Sequence, residues 1–279
     1  MPPIIQILGL PFLACFLMSL ILGYLGTHVL KREVIFIDIA LAQMAAVGSI
    51  AAHTIFKAHG DSALVYVCSF GCVLLAAGFY AFVRSRINQI SIEAIIGISY
   101  AIAAATALFL LGIAPGGHQH IQHILSGSLL WMRWEQIIVS LAVFSVIGFC
   151  FYLTRKPIAS ISNSYQKGTA KSLSTVFWDF AFYVLLGVVI TLSVEMAGIV
   201  VVFAFLIVPA TISAIFRLHL HLQMIVIWIV AILASFIGLL FAYYFDFSVG
   251  PAVVLALGVE LVVVSLCRQP MARLLKCPQ

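Results

Sequence analysis

The chain has 279 residues, of which 64% are hydrophobic and 8% charged, and its formal net charge is +5. A soluble domain carries roughly 25% charged residues. The composition therefore excludes a soluble globular protein and leaves an all-α, polytopic membrane protein.

A helix crosses the hydrocarbon core with about 20 apolar residues. Nine stretches qualify, at 4–26, 34–56, 62–83, 91–112, 134–153, 176–194, 198–216, 222–244 and 247–267. The N-terminus lacks the basic region and small-residue cleavage site of a secretory signal, so the first run reads as a span. With the N-terminus placed outside, the inner segments hold twelve Lys and Arg residues and the outer ones two, Lys57 and Arg133. That asymmetry follows the positive-inside rule. It fixes nine spans with the N-terminus out and the C-terminus in, and it accounts for the net charge without nucleic-acid binding. Residues 1–279 read as a single transmembrane domain.

Taken in chain order, the second span holds "FIDIALAQMAAVG", Phe36 to Gly48, where Asp38 and Gln43 interrupt an apolar run. An ionisable group inside a membrane usually faces a bundle interior or an aqueous path. Gln43 lies about 140° round the helix from Asp38, and its plainest role is an interhelical hydrogen bond. The surrounding Ala40, Ala42, Ala45, Ala46 and Gly48 let helices approach closely, so this span reads as an interior helix. His53 and His59 flank its outer end. In the third span, Cys68 and Cys72 share a face, and buried packing explains them better than metal ligation. All six cysteines read as free thiols, because no extramembrane loop carries a pair.

Glu93 lies near the inner end of the fourth span. The outer connection that follows, 113–133, contains "HQHIQH", with His118, His120 and His123. Three imidazoles suit a borderline metal such as zinc, and a polar loop that meets a partner protein is the plainer alternative. The inner connection, 154–175, is polar and basic, with room for a short docking helix. Spans six and seven are joined by little more than Glu195 to Ala197, and Pro209 marks the seventh. Glu260 lies near the middle of the ninth span. The remaining carboxylates, Glu33, Asp61, Glu135, Asp179 and Asp246, fall at or near span ends, where water or headgroups reach them.

No G-x-x-x-x-G-K-[ST] is present, so this chain does not itself cradle nucleotide phosphates. H-E-x-x-H and G-x-S-x-G are also missing, and no span pairs a nucleophile with a base. An intramembrane enzyme is disfavoured. Asp38, Glu93, Glu195 and Glu260 are left as the functional candidates on placement alone.

Three stretches resemble the permease subunits of the ABC-3 family of bacterial ATP-driven importers for zinc, manganese and iron. "KREVIFIDIALAQMAAVG" (Lys31 to Gly48) is similar to the family's basic turn and its D-A-L-[SA]-H-x-x-x-x-G helix. "EAIIGISYAIAAATALFLL" (Glu93 to Leu111) is similar to its [DE]-x-x-[IL]-G-[IL] segment. "SVEMAGIVVVFAFLIVPATIS" (Ser193 to Ser213) resembles its A-G-x-L-L-V-x-x-L-L-I-x-P-A pattern, the most specific of the three. Counted back from Gly48, the family's histidine position holds Gln43 and its acidic position holds Ile39, with Asp38 one residue earlier. The family's metal gate thus carries over only in part.

The resemblance implies a multi-pass protein of the bacterial cytoplasmic membrane. It implies a homodimer that works with cytoplasmic ATPase subunits and an external metal-binding protein. No cofactor is expected on this chain, and the metal ion is cargo, which the resemblance implies would pass Asp38, Gln43, Glu93, Glu195 and Glu260 after an outer entry at His53, His118, His120 and His123. The outer histidines favour zinc and the oxygen of Gln43 favours manganese. Zinc is the expected ion, with manganese or iron as the alternative. A proton-coupled secondary transporter using Asp38, Glu93 and Glu260 is the rival class.

Overall fold

A computed structural model describes residues 4–56, 63–86, 89–113, 129–166, 173–216 and 219–274. Among them are nine α-helices and no strand: α1 (Ile4–Arg32), α2 (Ile37–Phe56), α3 (Ala63–Arg86), α4 (Ile92–Ile113), α5 (Trp134–Gln166), α6 (Leu173–Ala197), α7 (Ile199–Ile215), α8 (Leu220–Phe245) and α9 (Val249–Leu274). A 3-10 turn, Leu129–Trp131, precedes α5. An all-helical chain is what lipid demands, because a helix satisfies its backbone polar groups internally.

Eight of these helices are long and apolar enough to cross a membrane, and α7 is the short one at 17 residues. At 1.5 Å per residue it spans about 26 Å, less than a hydrocarbon core of roughly 30 Å. Nine apolar segments were expected, with the sixth and seventh either a tight hairpin or one of them partial, and α7 is the shorter of the two. α6 continues through the expected junction to Ala197, and the break falls at Gly198, with φ 85°. Its N–H donates to the Val194 carbonyl at 2.8 Å. That left-handed backbone suits glycine and costs other L-residues about 1–2 kcal/mol.

α5 differs from expectation in the other direction. The span expected at 134–153 runs on as unbroken helix to Gln166, through Pro157. The first part of the segment read as an inner loop is therefore helical, and residues 167–172 lie outside the described residues.

The chain divides into two compact units. One gathers the chain through Thr27, the start of α5 through Leu141, and everything from Val200 onward. Within it, α8 packs on α9, as does the 3-10 turn. The other unit begins at His28, takes in α2, α3 and α4, and adds Ala142 to Ile199. Its central element is α2, which packs against α3, α4 and α6, while α3 also packs against α6. Ala40, Leu41, Ala42, Ala45, Ala46 and Gly48 are buried along α2. A Cβ on Gly48 would lie 2.5 Å from the Cys68 carbonyl oxygen and 2.7 Å from Ser69 Cα. The two backbones touch there, the close approach on which helix packing in lipid depends. α2 is the interior helix its small residues suggested.

Outward-facing positions carry large apolar side chains, among them Leu75, Phe109, Phe149, Leu233 and Leu266. A water-soluble fold buries such residues, whereas a membrane protein leaves them to lipid.

Candidate functional site

The densest polar chemistry in the second unit sits where α1 ends. Leu30 and Val29 accept from the N–H groups of Glu33 and Val34 at 3.2 and 3.3 Å, and Glu33 takes φ 53°. This is the Schellman arrangement that closes a helix and satisfies its last carbonyls. It stops α1 at Arg32, whose side chain is fully buried.

Buried charge needs partners, and Arg32 has them on two other helices. Its Nη1 meets Asp179 Oδ1 of α6 at 2.5 Å, and its Nε donates to Ser162 Oγ of α5 at 3.0 Å. Its guanidinium carbon lies 4.1 Å from the centre of the Phe182 ring, a favourable cation–π contact. Tyr165 of α5 donates to the second carboxylate oxygen, Asp179 Oδ2. Arg84, at the end of α3, donates to the Arg32 carbonyl at 2.6 Å and to the Tyr183 hydroxyl at 2.9 Å. It also stacks on Tyr165, 3.6 Å from the ring centre. The Ser162 hydroxyl donates to the Ile158 carbonyl at 2.8 Å. The same hydroxyl oxygen lies 3.1 Å from His28 Nδ1.

These bonds bring together the ends of α1, α3 and α5 and the first turns of α6. Close by in the chain, Glu93 Oε1 accepts the N–H of Ile35 at 2.9 Å, which ties the start of α4 to the α1–α2 turn. Chain alternation across a membrane requires these helix ends to share a side. It is the side to which the basic-residue count assigns the cytoplasm. Asp179 was expected at a wetted span end, but it is 1% exposed. The Arg32 pair and the Tyr165 hydroxyl replace the water that position suggested.

The residues singled out in the sequence are spread along the chain. Asp38 is 2% exposed in the first turn of α2, and its Oδ1 accepts the N–H of Ile39 at 2.7 Å. A carboxylate there satisfies an orphan amide and complements the helix dipole. Gln43 is half-buried further along α2, and Glu93 is half-buried and occupied by Ile35. His53 lies half-buried in the last turn of α2, and Glu195 is exposed near the end of α6. Glu260 belongs to the other unit. It is half-buried on α9, yet both carboxylate oxygens are shielded and without a hydrogen-bond partner among the described residues. His118, His120 and His123 lie outside the described residues. Among the described residues, no three His, Cys, Asp or Glu side chains gather closely enough to hold a metal ion. The five described cysteines are free.

Arg32, Arg84, Ser162, Tyr165 and Asp179 were missed as a constellation. Their arginines count as inside-positive residues, which need no further role. The available signal was an aspartate at an inner helix end within reach of those arginines.

Known proteins similar to this chain are membrane components of metal transport systems. A Chlamydia pneumoniae protein described as "probable metal transport system membrane protein" is 24% identical over 256 residues, covering 88% of this chain and 84% of that one. The manganese transport system membrane protein MntC of Listeria monocytogenes is 24% identical over 241 residues, covering 85% and 82%. Matches to the Chlamydia trachomatis and Chlamydia muridarum relatives span 57% of those proteins. The fold is similar to that of a chain in the structure of PsaBC from Streptococcus pneumoniae in complex with Fab, with a TM-score of 0.75, 19% identity and coverage of 93% and 92%. The model of the ABC 3 transport family matches residues 5–268, and the chain belongs to that family of membrane permeases.

Proposed function

We infer that this chain is the permease of an ATP-driven importer of a divalent transition-metal ion. Two copies would work with cytoplasmic ATPase subunits and an external metal-binding protein. The observation that carries this reading is the family match from residue 5 to 268, together with relatives named for manganese and for iron. A bare divalent ion meets a large dielectric penalty in lipid, and oxygen donors along α2 would lower it. Gln43 stands at the family's histidine position and offers an oxygen, while Asp38 supplies negative charge five residues before it. Glu93, Glu195 and Glu260 are further pathway candidates. His53 and the loop imidazoles His118, His120 and His123 are candidates for the outer entry.

Hard oxygen donors favour manganese, and imidazole favours zinc. We assign manganese ahead of iron and place zinc third, because the helix positions present oxygen and the named relatives include manganese systems. The test is uptake by proteoliposomes holding the permease and its ATPase, supplied with manganese, iron or zinc. Manganese uptake that requires ATP hydrolysis and survives an uncoupler is expected. Uptake that collapses with the proton gradient while ATP remains would establish the secondary-transporter reading instead.

A further inference from the structure

The inner end of α5 is held by an arrangement in which Asp179 has a second way to be paired. α5 has 33 residues, about 50 Å of helix at 1.5 Å per residue, against a hydrocarbon core of roughly 30 Å. Ser162, Asn163 and Tyr165 lie near its inner end, and each is bonded to a neighbouring helix. Ser162 accepts from Arg32, Asn163 from Lys31 at 3.4 Å, and Tyr165 donates to Asp179.

Asp179 divides its two oxygens between Arg32 and Tyr165. Arg32 therefore holds the carboxylate through Nη1 alone, and its Nη2 is buried with no partner among the described residues. A buried guanidinium donor left unpaired is costly, and arginine's preferred geometry with a carboxylate is the two-pronged fork. If α5 shifts and Tyr165 withdraws, Oδ2 becomes available to Nη2. At Asp179 one charge-assisted bond is lost and another formed, while the same shift gives up the Ser162 acceptor of Arg32 Nε. Asp179 is thus paired in either arrangement: with Tyr165 engaged and one prong of Arg32 idle, or with Tyr165 released and Arg32 and Asp179 closed as a fork.

We propose that Tyr165, Asp179 and Arg32 form a latch at the inner end of α5, and that its release lets this helix end move relative to α1 and α6 during the transport cycle. The three are positioning residues, without contact to the ion. The proposal rests on the reading above, in which an ATPase on the cytoplasmic side drives the permease.

The test uses the full chain and the Tyr165→Phe variant, which keeps the ring stacked on Arg84 and removes only the hydroxyl. A second variant combines Tyr165→Phe with Ser162→Ala. Hydrogen–deuterium exchange is read first on the permease alone. Amides of 158–166 should exchange about tenfold faster in Tyr165→Phe, and faster still in the double variant. The ratio of ATP hydrolysed to ion transported is then read in the assembled complex, where it should rise at unchanged assembly. A purely structural role would lower both rates together and leave the ratio alone. Unchanged exchange overturns the latch. Faster exchange with an unchanged ratio overturns its part in coupling. If no ATPase associates with the wild-type chain, the functional reading and the coupling role both fall, and the exchange measurement still decides the latch.

Discussion

Arg32 and Asp179 lie 147 positions apart in the chain and meet at 2.5 Å, their side chains 0% and 2% exposed. Removing one partner of such a pair leaves a buried charge uncompensated and costs about 3–5 kcal/mol. Asp179→Ala is therefore expected to lower the thermal midpoint in detergent sharply. The double variant Arg32→Met with Asp179→Leu should be markedly less damaging than the sum of the single changes. Additive losses would mean that the two side chains contribute separately, and a thermal double-mutant cycle reads the difference directly.

Glu93 illustrates how a polar residue in a span can hold structure. Its carboxylate accepts the Ile35 N–H at 2.9 Å, which fixes the turn after α1 against the start of α4. Glu93→Gln retains an acceptor oxygen and should leave the fold and membrane abundance close to wild type. Glu93→Ala strands a part-buried amide and should cost about 1–3 kcal/mol, seen as reduced membrane abundance and a lower unfolding temperature. A large uptake loss in Glu93→Gln at normal abundance would instead make the negative charge itself part of the pathway.

The hydrophobic pattern made most of the fold legible. Apolar runs located every helix, because lipid requires about 20 such residues in a row. The basic residues ordered the helix ends, and the bonds from Arg32 and Arg84 gather those of the second unit on one side. Two features were not legible. Polar side chains past the fifth apolar run looked like loop, although Ser162 and Tyr165 are on continuous helix, because hydropathy does not distinguish a solvated linker from a helix facing a polar cluster. Asp179 looked wetted, because a partner 147 residues away leaves no local trace. Of the candidate site, the sequence identified the residue types along α2 but gave no indication that Asp38 spends one oxygen on Ile39.

Gly198 is the whole connection between α6 and α7, with φ 85°. Gly198→Ala forces a β-carbon into left-handed backbone at a cost of about 1–2 kcal/mol. A lower unfolding temperature is expected, with uptake per folded molecule falling if the helix break has to keep its geometry. An unchanged melting curve would show that the neighbouring turns absorb the strain.

Glu260 presents two shielded oxygens and no hydrogen-bond partner among the described residues. A lone carboxylate kept from water is destabilising unless something charged visits it. Glu260→Gln should raise the unfolding temperature of the metal-free protein, the saving being about 1 kcal/mol or more. If the ion passes α9, the same variant should import more slowly. Greater stability with undiminished uptake would place Glu260 outside the pathway.

Gln43 is the position where this chain departs most informatively from the family pattern. It is half-buried on the helix that carries Asp38, and its amide can give an ion only an oxygen. An imidazole at the same place would favour zinc over manganese, since nitrogen donors suit the borderline ion and carboxylate or carbonyl oxygen suits the harder one. Gln43→His should therefore move the uptake preference toward zinc by about tenfold, equivalent to about 1.4 kcal/mol. Competition between the two metals in the same proteoliposomes reads it. The substitution adds no charge and keeps a polar side chain, so folding should be close to wild type. A preference unmoved by the imidazole would mean that the ion does not touch α2 here. Selection would then rest with the outer entry, where the combined replacement of His118, His120 and His123 by alanine should raise the metal concentration needed for half-maximal uptake.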